Sequence, residues 1–230
     1  MSYEIFNEDC LEAMKRIPDG SVDAIICDPP YFTGMTHGYG DKPRLLDLNI
    51  CRPFYQQVFR EINRVLTDKG CLYWFCDWRS LGFYLAIMEL EKVPVKNCLV
   101  WNKGNGAGNF YRYAHEMILF ATFENKFICK DKTNTLNVIT GIHGYSSKHN
   151  IDGGKVHPAQ KPVELIAKLI KDSTSEGDTV LDCFMGSGTT CVACLNLNRN
   201  FIGFEIDESY FKIAQKRIDE AIAKREQSLF

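Results

Sequence analysis

Short apolar runs alternate with helical patterns along the 230 residues of the chain. Residues 22–27 form an almost continuous apolar run, which is typical of a strand buried on both faces. Residues 53–66 instead place their apolar side chains at helical spacing. The same reasoning predicts strands at 3–7, 71–76, 95–101, 117–122, 179–182 and 201–205, and helices shortly after residue 9 and at 80–90, 162–171, 189–197 and 208–224. Pro162 is expected at the first helical position of its helix. The alternation predicts an α/β fold, with a mostly parallel sheet between two layers of helices.

Two segments break this alternation. Residues 32–52 contain three glycines and Pro43 with little periodicity, and a loop of that length is usually functional or mobile. Residues 102–161 carry eight Lys or Arg against four Asp or Glu, although the whole chain has a formal charge of −2. The nearly neutral total therefore hides a basic central stretch and an acidic remainder. Only this distribution matters for attracting a polyanion such as nucleic acid.

The composition is that of an ordinary soluble globular protein, with 45% hydrophobic and 24% charged residues. No apolar run approaches the roughly 20 residues of a membrane span, so we expect no membrane partner. The first nine residues are mixed and acidic, which does not resemble a signal peptide. Ten cysteines lie singly in apolar stretches, as expected for buried thiols in a reducing cytosol, and we predict a cytoplasmic location.

Neither the cysteines nor the histidines suggest a metal site. Cys191 and Cys194 form a CxxC pair within a predicted helix, without a second ligand pair, so packing is a better interpretation than zinc or redox chemistry. Four histidines in the basic stretch have no ligand spacing.

A glycine-containing turn at residues 182–190 lies between a predicted strand and a predicted helix. Its glycines permit close approach of a ligand, and Glu205 ends the next strand nineteen residues after Gly186, where a carboxylate can accept both hydroxyls of a ribose. The pattern favours a nucleoside-containing cofactor. The turn does not match a phosphate-binding loop, because Gly188 and not lysine stands directly before Thr189. It matches a dinucleotide-binding fingerprint only weakly, because Cys191 stands where a third glycine is usual. A tight turn without a ligand is the remaining alternative.

A second turn, Asp28-Pro29-Pro30-Tyr31, directly follows the apolar run at 22–27. Asp28 is therefore expected at the carboxyl end of a central strand, where open α/β sheets bind their ligands. An ordinary Pro-Pro turn with a solvated aspartate is the alternative.

Together the two turns resemble those of the DNA amino-methyltransferases, which transfer a methyl group from S-adenosylmethionine to N6 of adenine or N4 of cytosine. The catalytic turn precedes the cofactor turn, as in the permuted β group of that family. The resemblance implies a circularly permuted, Rossmann-like class I methyltransferase fold in a single domain. Its catalytic half would span 1–122, a short target-recognition insert 123–156 and the cofactor-binding half 157–230.

Three further motifs extend the resemblance over nearly the whole chain. Residues 6–10 resemble the family's adenine-ring contact, residues 157–162 resemble the element that closes on the methionine end of the cofactor, and residues 203–207 resemble the ribose-binding strand end. The resemblance thus implies S-adenosylmethionine as the cofactor, held by Asp9, Cys10, Lys161, Asp182, Phe184, Gly186, Ser187, Gly188, Thr189, Glu205, Ile206 and Asp207.

The resemblance also implies catalytic roles for Asp28, Pro29, Pro30 and Tyr31. The Asp28 carboxylate and the Pro29 carbonyl could each accept one N–H of the target amine, which aims its lone pair at the methyl group, while Tyr31 stacks on an extruded base. This chemistry needs no metal. Methylation at ring carbon C5 is disfavoured because the chain contains no Pro-Cys dipeptide. Asp28 resembles the adenine-specific enzymes more than the cytosine-N4 enzymes.

The predicted macromolecular partner is DNA. Candidate phosphate contacts are Lys103, Arg112, Lys126, Lys130 and Lys132, although a solvated basic face is the alternative. The small recognition segment is compatible with a homodimer. Three other functions stay open: a cytosine-N4 methyltransferase, a non-catalytic module that binds DNA and cofactor, and a nicotinamide-dependent oxidoreductase.

Overall fold

The computed structural model describes residues 2–30, 48–104, 106, 111–124, 136–144 and 160–227. Within these residues eight strands form one sheet. In chain order the strands are β1 (Tyr3–Phe6), β2 (Val22–Cys27), β3 (Leu66–Cys76), β4 (Val95–Asn102), β5 (His115–Thr122), β6 (Val138–Ile139), β7 (Thr179–Asp182) and β8 (Asn200–Phe204). The helices are α1 (Cys10–Met14), α2 (Leu48–Val65), α3 (Leu81–Leu90), α4 (Val163–Ser173), α5 (Thr189–Asn196) and α6 (Glu208–Gln227).

The order of the strands across the sheet is β1-β8-β7-β2-β3-β5-β4-β6. Strands β1, β8, β7, β2 and β3 run parallel to one another, while β5 is antiparallel to both β3 and β4. Strand β1, the first in the chain, pairs with β8, the last, as expected for a circularly permuted sheet. The carboxyl ends of the five parallel strands and of β4 lie at one edge, together with the beginning of β5. We call this the carboxyl edge.

Two layers of helices cover the sheet. Helices α1, α2 and α3 bury their apolar side chains on one face, and α4, α5 and α6 bury theirs on the other. Strand β2 has an almost entirely apolar sequence because helices cover both of its faces. Ile25 and Cys27 point into the first layer and Ala24 and Ile26 into the second, so both faces of the strand exclude water. The predicted α/β fold with helices on both faces is confirmed.

Several boundaries differ from the sequence prediction. Helix α2 begins at Leu48, so Pro53 lies inside it near its start, where the missing amide removes a single early hydrogen bond. Helix α4 begins at Val163 rather than at Pro162. Pro162 is its N-cap, with extended backbone (φ −61°, ψ 136°), and its carbonyl accepts a hydrogen bond from the amide of Leu165 at 3.1 Å. Strand β8 ends at Phe204, which places Glu205 just beyond it.

Strand β6 was not predicted. It has two residues and pairs with β4, as Val100 with Val138 and Trp101 with Ile139. The indole N–H of Trp101 also donates a hydrogen bond to the carbonyl of Ile142 at 2.8 Å. This part of the expected recognition insert therefore extends the sheet.

The described cysteines are free thiols, and Cys191 and Cys194 are buried in α5, as the packing interpretation predicted. Among the described helices, none is both long enough and apolar enough to cross a membrane. The described residues contain no cluster of three or more His, Cys, Asp or Glu that could hold a metal ion.

Candidate active site

The carboxyl edge brings together carboxylates from separated parts of the sequence. Asp28 follows β2, Asp182 ends β7 and Glu205 follows β8. Because β2 pairs with β7 and β7 pairs with β8, these side chains lie at the ends of three adjacent strands. Asp9 follows β1 at the next position along the edge. The sequence motifs singled out above therefore form one site.

The glycine turn between β7 and α5 requires two positive backbone angles. Gly186 has φ +54° and Gly188 has φ +78°, a region that L-amino acids with side chains rarely adopt. A Cβ at Gly188 would also lie 3.0 Å from the Cβ of Ala214 on α6. At Gly186, by contrast, an added Cβ would meet only the carbonyl of Phe184, at 3.9 Å. Gly188 thus permits close packing of α5 on α6, whereas Gly186 leaves the turn open on its outer side.

Arg217 of α6 holds this turn from behind, a role that sequence reasoning missed. Its guanidinium donates hydrogen bonds to the carbonyl of Ser187 at 2.6 Å, to the Ser187 hydroxyl at 2.9 Å and to the Thr189 hydroxyl at 3.3 Å. Ser187 and Thr189, which were predicted to contact the cofactor, therefore use their side chains to fix the turn. Arg217 could not be distinguished in sequence from the other polar residues of an amphipathic helix.

Glu205 connects the end of β8 to the glycine turn. One carboxylate oxygen accepts the amide of Gly186 and the other accepts the amide of Asp207, each at 2.8 Å. Burial raises the pKa of Glu205 above its ordinary value, against the opposing effect of these amides. The Asn7 side chain, from the segment after β1, donates to the Glu205 carbonyl at 2.7 Å. The carboxylate is thus oriented at the turn by neutral donors.

Asp182 is buried and is also held by neutral donors. Its carboxylate accepts hydrogen bonds from the Thr190 hydroxyl at 2.6 Å and from the Phe184 amide at 3.0 Å. Burial raises the pKa of Asp182 to about 7, and the negative charges of Asp28 and Glu205 act in the same direction. Asp182 thus lies near two other carboxyl groups with neutral hydrogen-bond donors as its partners, and a cation bound there would favour its ionised form.

The other predicted cofactor residues lie at the same edge. Asp9 caps α1 by accepting the amides of Leu11 and Glu12, at 2.9 and 3.3 Å, and Cys10 is buried in the first turn of that helix. Ile206 is 71% exposed beside Glu205, so it offers an apolar surface for a planar ring. Asp207 begins α6 by accepting the amide of Ser209 at 2.9 Å.

Asp28 is held by a lysine. The Lys161 ammonium forms an ion pair with Asp28 Oδ2 and lies 3.2 Å from Oε2 of Glu116. Glu116 Oε1 in turn lies 3.2 Å from the ammonium of Lys103. The Lys161 ammonium also stands 5.2 Å from the centre of the Phe75 ring. Lys161 was predicted to contact the cofactor, but its described partners are Asp28 and Glu116, and Glu116 was not predicted at all.

These buried groups keep their charges. Burial alone would lower the pKa of Lys161, but the adjacent carboxylates of Asp28 and Glu116 raise it above its ordinary value. Burial likewise opposes ionisation of Glu116, and the charges of Lys161 and Lys103 outweigh it and lower its pKa. Alternating positive and negative groups therefore run from Lys103 to Asp28.

Two of the predicted phosphate contacts are described. Lys103 follows β4 at the carboxyl edge, where it pairs with Glu116, and Arg112 is exposed shortly before β5.

The edge also presents Trp78, which is 58% exposed shortly after β3 and has the Arg79 guanidinium 5.8 Å from its ring centre. Asp77 holds this turn by accepting the amide of Ser80 at 2.9 Å.

Several predicted residues lie outside the described residues. They are Tyr31 of the catalytic turn, His157 of the closing element, and Lys126, Lys130 and Lys132 of the basic stretch. Pro29 and Pro30 are described, and Pro29 is buried next to Asp28.

Comparison with known proteins identifies the family. A family model for N6/N4 methyltransferases, described as DNA methylase, matches residues 22–216. Since the match spans most of the chain, the protein belongs to the N6/N4 DNA methylase family, as the resemblance implied.

Individual relatives agree with this assignment. The type II methyltransferase M.HinfI of Haemophilus influenzae is 31% identical over 248 residues, covering 94% of this chain and 68% of its own. M.HpaI of Haemophilus parainfluenzae is 29% identical over 237 residues, covering 95% and 75%. The crystal structure of an M1.HpyAVI–SAM complex is 28% identical, with a TM-score of 0.71 over 94% of this chain and 99% of that one.

A more distant structure supports the fold alone. The cytosine-N4-specific PvuII DNA methyltransferase has a TM-score of 0.75 over 94% of this chain and 86% of its own, at 15% identity. The predicted Rossmann-like class I methyltransferase fold is thus confirmed.

Proposed function

We propose that this protein transfers a methyl group from S-adenosylmethionine to N6 of adenine in DNA. The observation that carries the proposal is the convergence of Asp28, Asp182 and Glu205 at three adjacent strand ends, in a chain of the N6/N4 DNA methylase family. A relative of known structure has been crystallised with the same cofactor.

The residues of the carboxyl edge fit S-adenosylmethionine. The open outer side of Gly186 admits a ligand, the Glu205 carboxylate suits ribose hydroxyls, and the exposed Ile206 side chain suits an adenine ring. Negative charge around Asp182 suits the cationic sulfur and the amino group of the cofactor. When bound, S-adenosylmethionine would supply the methyl group. The amine nitrogen would form the new N–C bond while the S–C bonding pair stays on sulfur, and the nitrogen would then release a proton.

The catalytic turn would prepare the amine for this reaction. An exocyclic amino group is a poor nucleophile because its lone pair is delocalised into the ring. Asp28 would accept one N–H and the Pro29 carbonyl the other, which favours a pyramidal nitrogen, and the negative charge of Asp28 would stabilise the positive charge that develops there. Tyr31 would stack on the extruded base.

Adenine is the proposed base because Asp28 resembles the adenine-specific enzymes. Cytosine N4 is the second candidate, since the matching family model covers both activities. The test is to incubate DNA with the protein and S-adenosylmethionine, digest it to nucleosides and measure the products by mass spectrometry. N6-methyl-2′-deoxyadenosine is expected from the wild type and far less of it from Asp28→Ala. N4-methyl-2′-deoxycytidine would establish the second candidate, and unchanged transfer by Asp28→Ala would contradict the proposed mechanism.

DNA would bind across the carboxyl edge, with phosphates contacting Lys103, Arg112 and the three lysines at 126, 130 and 132. The exposed Trp78 ring, backed by Arg79, suits stacking on a base or sugar near the target. Affinity for DNA should then fall steeply with salt, and Arg112→Ala should lower the slope of log affinity against log salt by about one unit. An unchanged slope would remove Arg112 from the interface.

The homodimer and the cytoplasmic location also belong to this proposal. The small recognition segment supports a dimer, because a second copy would enlarge the surface that reads DNA. Light scattering coupled to gel filtration should then give twice the chain mass of 26.3 kDa. A monomer that still methylates DNA would contradict the dimer without affecting the activity.

A further inference from the structure

Asp28 is connected to Lys103 by a continuous series of ion pairs through three elements of the fold. Lys161 precedes α4, Glu116 is the second residue of the antiparallel strand β5, and Lys103 follows β4. Glu116 reaches the carboxyl edge because β5 runs opposite to β3 and β4 and therefore starts where they end, and Lys103 lies there because β4 ends there. The ammonium of Lys161 is shared between Asp28 and Glu116, and the carboxylate of Glu116 is shared between Lys161 and Lys103.

We propose that Lys161 and Glu116 are positioning residues for methyl transfer: Lys161 fixes the orientation of the Asp28 carboxylate, and Glu116 holds Lys161 in place. This inference rests on the proposed methyltransferase function and deepens it. It also assigns Lys161 a role different from the contact with the cofactor that the sequence motif implied.

Burial makes the orientation firm. The side chain of Lys161 is only 6% exposed, and those of Asp28 and Glu116 are 23% and 19% exposed. A buried ammonium between two carboxylates, with an aromatic ring 5.2 Å away, has few alternative positions that keep its charge compensated. An ionised carboxylate accepts about four hydrogen bonds, so Asp28 can hold Lys161 and still receive an amino group.

The charge of Glu116 makes this arrangement compatible with catalysis. The amine nitrogen becomes positive during methyl transfer, and the negative charge of Asp28 favours that change. A lysine beside Asp28 would cancel much of this effect if it acted alone. Glu116 offsets much of the charge of Lys161, so the lysine can orient Asp28 at a lower electrostatic cost, while Lys103 helps to keep Glu116 ionised.

The geometry also argues against a primary role of Lys161 in cofactor binding. Two of the three N–H donors of Lys161 serve Asp28 and Glu116, so binding the carboxylate of the methionine moiety would gather a third carboxylate around one ammonium. The neighbouring carboxylates Asp182 and Glu205, which do not contact a lysine among the described residues, are held by backbone amides and a hydroxyl.

The experiment compares Lys161→Met, Lys161→Arg, Glu116→Gln and the double variant Lys161→Met/Glu116→Gln in two assays. One measures the dissociation constant of S-adenosylmethionine by calorimetry, and the other measures the single-turnover rate of DNA methylation at saturating cofactor. Lys168→Met is the matched control, because Lys168 is also largely buried in an ion pair, with Asp172 of the same helix. Thermal denaturation shows which variants fold.

Lys161→Met is expected to lower the single-turnover rate about 100-fold and Glu116→Gln about 10-fold, in line with the loss of a group that orients a catalytic residue. The cofactor dissociation constant should change less than about threefold in both, because neither residue would touch the cofactor. Lys161→Arg should recover part of the rate, and Lys168→Met should match the wild type. The double variant should be no slower than Lys161→Met, since Glu116 acts through Lys161.

Three results would overturn the inference. A cofactor dissociation constant raised about tenfold in Lys161→Met, with a normal rate at saturation, would assign Lys161 to cofactor binding. Additive losses in the double variant would separate Glu116 from Lys161. A wild-type rate in Glu116→Gln would remove Glu116 from the reaction, and this test remains available if Lys161→Met does not fold. Absence of methylation by the wild type would instead refute the proposed function itself.

Discussion

The carboxyl edge contains two kinds of carboxylate, which differ in their hydrogen-bond and ion-pair partners. Asp182 and Glu205, at the ends of β7 and β8, are held by backbone amides and a hydroxyl, and we call them the neutral-donor side. Asp28 and Glu116, next to β2 and in β5, are held by lysine ammonium groups, and we call them the lysine side. Both sides use the same chemical group at the same edge of one sheet, so the difference lies in the partners.

The partners determine which ligand each side suits. Neutral donors orient a carboxylate without cancelling its charge, and burial and mutual repulsion then raise the pKa of Asp182 to about 7. Such a site gains from a cation. On the lysine side the two lysines keep Glu116 ionised and the carboxylates keep Lys161 charged, as the lowered pKa of Glu116 and the raised pKa of Lys161 indicate. That side suits a neutral amine. The comparison divides the edge into a proposed cofactor region and a proposed target-base region.

The largest expected effect comes from breaking the lysine side at Asp28. Asp28→Ala removes the proposed acceptor for the target amine and the charge that would stabilise its positive transition state. We expect the single-turnover methylation rate to fall by about a thousandfold, with little change in cofactor affinity. Rapid-quench assays on labelled DNA measure the rate, with Lys168→Met as the control for loss of a buried charge. A rate within tenfold of the wild type, about 1.4 kcal/mol in barrier height, would deny Asp28 a central role.

The second effect is on the neutral-donor side. Glu205→Gln keeps the shape of the side chain but replaces the carboxylate that is the proposed acceptor of ribose hydroxyls by an amide. We expect the dissociation constant of S-adenosylmethionine to rise by about 10- to 100-fold, since hydrogen bonds to charged groups are worth about 1.5–3 kcal/mol. Calorimetry checks this value. Glu208→Gln, nearby and exposed at the first residue of α6, is the control and should bind normally. Equal losses in both variants would indicate nonspecific electrostatics.

A smaller effect is expected at Arg217, which holds the glycine turn without facing the ligand. Arg217→Met removes its contacts with Ser187 and Thr189, so the turn should become less ordered. We expect a rise in the cofactor dissociation constant of about 3- to 10-fold and an unchanged rate at saturating cofactor. Hydrogen exchange of the turn amides should increase in the same variant. Normal protection of these amides with weakened binding would point to direct contact by Arg217.

The smallest effect concerns stability. The folded pKa of Asp182 is raised to about 7, so between about pH 4 and about pH 7 the folded state holds a proton that the unfolded chain has released. The free energy of unfolding contributed by Asp182 therefore decreases as pH rises through this range and stays constant above it. Glu205, also raised by burial, acts in the same direction. Asp182→Asn should reduce the difference in Tm between about pH 5 and about pH 8 by a few degrees, as calorimetry can measure. An unchanged pH dependence would contradict the neutral-donor description.

The sequence contained local signals for much of the edge. Apolar runs located β2 and β7, and the residue types and spacing that follow them pointed to Asp28, Gly186 and Glu205 as site residues. Those predictions depend on residues close in sequence, where strand ends and turn chemistry are informative. The order of the two turns also correctly indicated the permuted class I fold.

The lysine side could not be predicted in the same way. Lys161 and Asp28 are separated by 133 residues, and no local pattern pairs them. Glu116 lies at the start of β5, where it reads as an ordinary polar residue, because only the antiparallel direction of that strand brings it to the edge. Strand β6 was missed since two residues provide no periodicity. Pro162 was misplaced by one position because the fixed φ of proline fits both the first helical position and the N-cap conformation observed here.

The most direct test of this division measures the methylation rate against S-adenosylmethionine concentration for Asp28→Ala and Glu205→Gln in parallel. We predict that Glu205→Gln approaches the wild-type rate once the cofactor is saturating, because its defect is in binding. Asp28→Ala should saturate at the wild-type concentration and stay slow at every concentration, because its defect is in the transfer step. If both variants lose affinity and saturated rate in the same proportion, the two sides of the carboxyl edge do not have separate functions.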